Sequence, residues 1–145
     1  MDDTDYMRIA IEESAKGDWP YGAVIVKEGA ILVKGFNTTT RDRDPTAHAE
    51  VNVIRAAFRT IPGLSLTGCT LYTSSESCPM CTGAFLWAGV SRVVFGASIR
   101  QLIEVGQPQI DTSSQSIIRT AFGEVELTGG VLAEEALKVV RSWRK

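Results

Sequence analysis

Four residues in two short stretches could do chemistry together. The segment DPTAHAEVNVIR carries His48, the chain's single histidine, with Glu50 two positions on. The segment TSSESCPMCTGAF carries Cys78 and Cys81, two of three cysteines, spaced three apart around Pro79. One imidazole and two thiolates are donors that favour zinc over magnesium or calcium. A structural zinc site is closed by four protein ligands, whereas a catalytic one uses three and keeps a position for water. The alternative fourth ligand is Cys69. If residues 69–73 form a strand, Cys69 lies roughly 13 Å of chain before Thr73, at about 3.3 Å per residue. That places it toward the end remote from Cys78, where it reads as a small buried apolar residue. The site therefore reads as open. Beside an open zinc site Glu50 could take a proton from an acidified water and pass it on; the competing reading is a solvated surface glutamate.

The elements that must position these groups follow from local signals. Residues Thr4 to Lys16 place Met7, Ile11 and Ala15 at helical spacing behind acidic residues that suit a helix start. GAVIVKEGAILVKGF reads as a β-hairpin turning at Lys27-Glu28-Gly29. After the polar loop NTTTRDRD, Asp44 is a candidate N-cap with Pro45 at the first helical position, so the spacing predicts a helix from Pro45 to about Arg59. Cys69 to Ser74 reads as a buried strand and Pro79 to about Gly89 as a helix, with Cys78 and Cys81 on one face of its start. Pro79 suits the first turn, and a helix N-terminus helps ionise thiols. RVVFGA is a further strand; Ser113 to Arg119 a short helix; EVEL a short strand; Val131 to Trp143 a last helix. Gly106 and Pro108 interrupt the segment between Ser98 and Thr120. Alternating strands and helices imply a layered α/β domain on a mixed sheet, and the opening hairpin argues against an all-parallel one.

His48-Ala49-Glu50 followed by Cys78-Pro79-Met80-Cys81 resembles the signature of the cytidine-deaminase-like zinc-dependent deaminases, H-x-E…P-C-x-x-C. The resemblance runs from about Gly22 to Gly96 and less firmly into the tail. It departs at Ser77, where the family usually has proline, a change expected to touch loop geometry more than zinc binding. The resemblance implies a three-layer α/β fold with a central five-stranded mixed sheet flanked by helices, and one catalytic domain over residues 1–145. It implies Zn2+ held by His48, Cys78 and Cys81, and hydrolytic release of ammonia from an amino-substituted nucleobase or nucleoside, with Glu50 as proton carrier.

DPTAHAEVNVIR and LYTSSESCPMCTGAFLWA look most like bacterial guanine deaminases, CTGA is similar to free-cytosine deaminases, and DPTAHAE, RVVFGA and EVELTGGVLAEEA resemble tRNA adenosine deaminases. Against the last stand Ser98-Ile99-Arg100, where those enzymes carry an acidic pattern. On the same resemblance Asn37 should hydrogen-bond the base, although an asparagine capping a strand-exit turn reads equally well. Backbone groups at Ala47 and His48 are further candidate contacts. Trp87 could stack on the ring, or lie in the core or at an interface. Asp111 could read a purine, or cap a helix before Thr112. Trp19 and Tyr21 could form a lid or pack in the core.

A chain of 145 residues can bury a full core without staples. A net charge of −2 and a pI near 5.4 argue against a phosphate-backbone binder, despite the short basic tail KVVRSWRK. The acidic start MDDTDY lacks a secretory pattern, no apolar run approaches a bilayer span, and three cysteines cannot all pair; these point to a reduced, cytoplasmic protein. The expected partner is a small nucleobase or nucleoside, rather than nucleic acid or a membrane, in a homodimer. A zinc-stabilised domain without turnover is the reading from outside the enzymes.

Overall fold

Neighbouring residues of the central strands are buried in opposite directions, and that alternation sets the architecture. In the strand Gly22–Lys27 (β1), Val24 and Val26 join a core with Tyr72 and Val94, whereas Ala23 and Ile25 join another with Leu71 and Val93. A strand buried on both faces needs a layer on each side. The computed structural model describes residues 1–143; Arg144 and Lys145, the end of the basic tail, lie outside the described residues. Besides β1, the sheet contains Ala30–Phe36 (β2), Cys69–Ser75 (β3), Arg92–Ala97 (β4) and Glu126–Thr128 (β5), in the order β2-β1-β3-β4-β5. β1 runs antiparallel to β2 and β3, while β3, β4 and β5 are parallel, so the sheet is mixed as expected.

One layer holds the helices Asp3–Ser14 (α1) and Ala133–Ser142 (α6) over Val24, Tyr72 and Val94. The other holds Ala49–Thr60 (α2) and Pro79–Ala88 (α3) over Ile25, Leu71 and Val93, with Val53 and Phe85 fully buried between. α1 starts at a capping box in which Asp2 and Asp5 satisfy each other's amides. The β1–β2 turn puts Glu28 (φ 49°) and Gly29 (φ 76°) in the left-handed region, as a two-residue hairpin loop of type I′ requires. Two short helices, Ile99–Glu104 (α4) and Ser114–Ile118 (α5), bracket the stretch broken by Gly106 and Pro108.

α2 corrects an expectation. It begins at Ala49, four residues after the predicted first helical position at Pro45. The Asp44 carboxylate accepts from Thr46 N (2.9 Å) and Thr46 Oγ1 (2.7 Å), so it closes a turn around Pro45 instead of capping a helix. Ala47 N then donates to Asp44 O and His48 N to Thr46 O. His48 becomes the extended N-cap residue of α2, without a capping bond from its ring. Cys78 is likewise the N-cap of α3, with Pro79 at its first position and Gly89 (φ 80°) ending it in the left-handed region. Two helix starts on the same face of the sheet thus each present a metal-type ligand.

Candidate active site

Tetrahedral zinc, with bonds of ~2.3 Å to sulfur and ~2.05 Å to nitrogen, holds those donors ~3.6 Å apart. His48 Nδ1 lies 3.6 Å from Cys78 Sγ and 3.5 Å from Cys81 Sγ. All three donor atoms fall within 4.8 Å of one another, and no fourth histidine, cysteine or acid joins the group among the described residues. The residues fit a three-ligand zinc site. Cys69 is fully buried with Ile25, Leu66 and Leu71 at the far end of β3, where it pairs with Lys27. It is a core residue and leaves the site open.

The electrostatics suit a cation. The Cys78 thiol is drawn down to about 4, foremost by its hydrogen bond with Cys81 and then by His48, while Cys81 is pushed well up by Cys78 and by burial. One thiolate resists ionisation of its neighbour; a divalent cation between them stabilises both. The hydrogen bond to Cys78 raises His48. Glu50, 6 % exposed, sits two residues into α2 and is raised above the ordinary carboxyl range, first by burial and then by the charge of Cys78. A carboxyl so placed can hold a proton and release it again. Its Oε2 accepts a hydrogen bond from Ser77 Oγ at 2.9 Å.

The loop carrying Cys78 is held by Glu76. This buried carboxylate accepts from Ile99 N (2.8 Å), Ser114 N (2.8 Å) and Ser114 Oγ (3.2 Å), tying the starts of α4 and α5 to the end of β3. Glu76 N continues the parallel ladder to Ala97 O at 2.7 Å. The three candidate donors therefore sit just beyond the carboxyl end of a parallel strand, the usual ligand position in open α/β sheets.

Two cavities meet here, sharing Tyr21, His48, Cys78 and Gln109 as walls. The inner, about 30 Å³, adds Glu50, Ser75 and Glu76; it has room for about one water. The outer, about 450 Å³, adds Trp19, Asn37, Thr39, Pro45, Met80, Pro108 and Ile110. Tyr21 is pushed up to about 12, chiefly by burial, and stays neutral. Its hydroxyl donates to Gln107 Oε1 (2.7 Å) and accepts from Gln109 Nε2 (3.1 Å). Ser75 shares the sheet face of Leu71, and its Oγ is buried without a protein partner.

Asn37 is buried at the outer cleft with its Oδ1 accepting from Thr39 N and Oγ1, so it does form a strand-exit turn while facing the cleft. Ala47 is buried, its carbonyl accepting from Thr38 N and Asn52 Nδ2. Trp87 lies away from both cavities, 81 % exposed and packed on Phe122 at 4.7 Å. Asp111 is exposed and pairs with Arg100 at 2.7 Å; the cap expected there falls to Ser113. Trp19 walls the outer cleft and stacks on Trp143. Sequence reasoning missed Ser75, Glu76 and Gln109, and it treated Ser77 as a loop perturbation. The hydrogen bonds of Glu76 and Gln109 reach 23 to 88 positions along the chain, so no local signal could have found them.

Comparison with known proteins agrees with this geometry. Residues 1–97 match the cytidine and deoxycytidylate deaminase zinc-binding region. The guanine deaminase of Bacillus subtilis is 49 % identical over 132 residues, 86 % of this chain and 80 % of that one. A probable cytosine deaminase of Schizosaccharomyces pombe is 34 % identical over 144 residues, 93 % of this chain and 88 % of that one. A solved structure from work on tRNA:A34 deaminases superposes with a TM-score of 0.80 at 28 % identity, covering 94 % of this chain and 99 % of that one. With its His-Cys-Cys donor set, its adjacent buried glutamate and this kinship, the chain belongs to the zinc-binding cytidine and deoxycytidylate deaminase family and is a zinc-dependent aminohydrolase.

Proposed function

We propose that this protein hydrolyses the exocyclic amine of a free purine base of guanine type, with residues 1–145 acting as one catalytic unit. The carrying observation is Glu50, a buried carboxyl beside three zinc donors, lining the inner cavity of about 30 Å³ that shares its walls with the outer cleft of about 450 Å³. Identity of 49 % to a guanine deaminase supports the choice of base.

His48, Cys78 and Cys81 would hold the zinc, which would supply Lewis-acid activation of the hydrolytic water. Glu50 takes the proton that water loses, delivers it to the ring nitrogen next to the amine-bearing carbon, and carries a second to the departing amine. Water and amine exchange on that carbon, leaving a carbonyl and ammonia. Burial raises the Glu50 carboxyl, which suits a group that must both take up a proton and give it back. Trp19, Met80 and Ile110 offer apolar walls to a flat ring, and Asn37 with Gln109 offers polar edges. The orphaned Ser75 hydroxyl offers a partner to a polar group entering the inner cavity.

A net charge of −2 and a cleft of base size favour a small molecule over tRNA as substrate. No helix among the described residues is long and apolar enough to cross a membrane. Trp87 and Phe122, 81 % and 69 % exposed and packed together, are the proposed seam between two copies of the chain.

The test is ammonia release from guanine, cytosine, adenine and their nucleosides by the zinc-loaded protein, with Glu50→Ala as control. Guanine should be the best substrate, and Glu50→Ala should bind zinc while losing at least about a hundredfold in kcat. A control as active as the parent would remove Glu50 from the chemistry. Salt-sensitive tRNA binding with adenosine turnover would replace guanine by the tRNA reading.

A further inference from the structure

We propose that Ser77 is a positioning residue for Glu50, its hydroxyl fixing how the carboxylate presents itself to the reacting ring; the proposal rests on the deaminase reading above. A glutamate has three side-chain torsions, and the outermost is broad and soft. Held by packing alone, the Glu50 carboxylate could turn about that torsion. Together with the Glu50 backbone amide and Cys81, which also engage the carboxylate, Ser77 Oγ narrows that freedom by donating to Oε2 at 2.9 Å, which assigns proton exchange to the other oxygen.

Ser77 is itself well fixed. It is 2 % exposed, and its carbonyl accepts from Thr82 Oγ1 at 3.1 Å. Thr82 lies fully buried on α3, and its amide donates to Cys78 O at 2.9 Å. A continuous chain of hydrogen bonds thus runs from α3 through the β3–α3 loop to the carboxylate on α2. The two halves of the site, one bearing His48 and the other the cysteines, are tied at the atoms that do the chemistry. Proline, the residue the family resemblance leads one to expect here, offers no side-chain donor. Ser77 therefore gives this chain a hold on its proton carrier that a proline could not provide.

The experiment compares the zinc-loaded parent with Ser77→Ala, Ser77→Thr, Glu50→Ala and the Ser77→Ala/Glu50→Ala double variant. Zinc per chain, kcat and KM for guanine, and melting temperature are read for each. Ser77→Ala should keep full zinc and a KM within about twofold of the parent, while kcat falls about tenfold or more through misplacement of the carboxylate. Ser77→Thr should recover most of that loss, because it returns the hydroxyl. Ser77→Ala should also lower the melting temperature by a few degrees, since it strips a partner from a buried carboxylate. That loss should vanish in the Glu50→Ala background.

An unchanged kcat in Ser77→Ala, a threonine variant as slow as the alanine one, or melting losses that simply add would each overturn the assignment. A parent that releases no ammonia from any base refutes the deaminase reading instead, and the thermal cycle still reports whether the bond exists.

Discussion

Gln109 Nε2 donates to Tyr21 Oη at 3.1 Å across 88 positions of sequence, and Tyr21 Oη in turn donates to Gln107 Oε1 at 2.7 Å. The tyrosine is thereby both acceptor and donor, which requires it to stay protonated, and burial ensures this by raising it to about 12. Gln109 lines both cavities, and engaging it through its nitrogen leaves its amide oxygen as the acceptor. That oxygen is suited to accept from a ring N–H or an amino group of a purine.

Removal of this contact should weaken binding without touching proton transfer. Gln109→Ala is expected to raise KM for guanine about tenfold, the equivalent of one hydrogen bond of ~1.4 kcal/mol, with kcat within about twofold. Tyr21→Phe, which removes the orienting hydroxyl, should produce a smaller rise in KM. Steady-state ammonia kinetics separate the two constants. A fall in kcat at constant KM would move Gln109 from recognition into the chemistry.

The three cysteines should divide cleanly in a metal assay. His48→Ala, Cys78→Ser and Cys81→Ser each remove one donor from a three-ligand set whose atoms lie within 4.8 Å. Each variant should lose most of its zinc after dialysis against a weak chelator, measured by elemental analysis. Cys69→Ala should retain zinc in full and lose about 1 kcal/mol of stability, because it deletes a small buried group from the core. Loss of zinc from Cys69→Ala would mean that the site is closed by four ligands.

These experiments also mark what the amino-acid order could and could not convey. His48, Glu50, Cys78 and Cys81 were legible because each pair sits within four residues of a helix start, so local geometry fixes their relation. The hairpin and the strands β3 and β4 were legible for the same reason. The start of α2 was not, since Asp44 can cap a helix or close a turn around Pro45, and hydrogen bonds to Thr46 decide it. α4 passed unrecognised although Ser98 and Gln101 form a capping box three residues apart, a signal that was present to be read. Trp87 and Asp111 could not be placed, because an aromatic on an apolar helix and an acid in a loop look alike inside and outside a cleft. Ser77 reads as a missing proline in the sequence; only the fold brings its hydroxyl to Glu50.

The exposed pair of Trp87 and Phe122 gives the proposed dimer a sharp test. Their rings pack at 4.7 Å on the surface, and large aromatics left in water gain most by burial against a partner. Trp87→Glu should shift the protein from dimer to monomer in sedimentation at micromolar concentration, with the melting temperature of the monomer little changed. A protein that sediments as a monomer before mutation removes the seam.

The last prediction concerns acid. Asp3 holds Arg92 through two hydrogen bonds of 2.8 and 2.5 Å and accepts from Tyr72 Oη at 2.6 Å, joining α1 to the sheet. The Arg92 bond foremost, aided by Tyr72, lowers the Asp3 carboxyl from 3.8 to about 2. A carboxyl depressed on folding stabilises the native state above its unfolded value, near 3.8, and loses that contribution as pH falls through about 2. Both side chains are a quarter to a third exposed, so solvent screening reduces the contribution to about 1 kcal/mol. Asp3→Asn should therefore melt about 3 °C below the parent at pH 7. The gap should narrow between pH 4 and about 2 and close below. Loss of zinc in acid affects both proteins alike and cancels in the difference. A gap that stays constant to pH 2, or that widens, would show that Asp3 acts through packing and not through its charge.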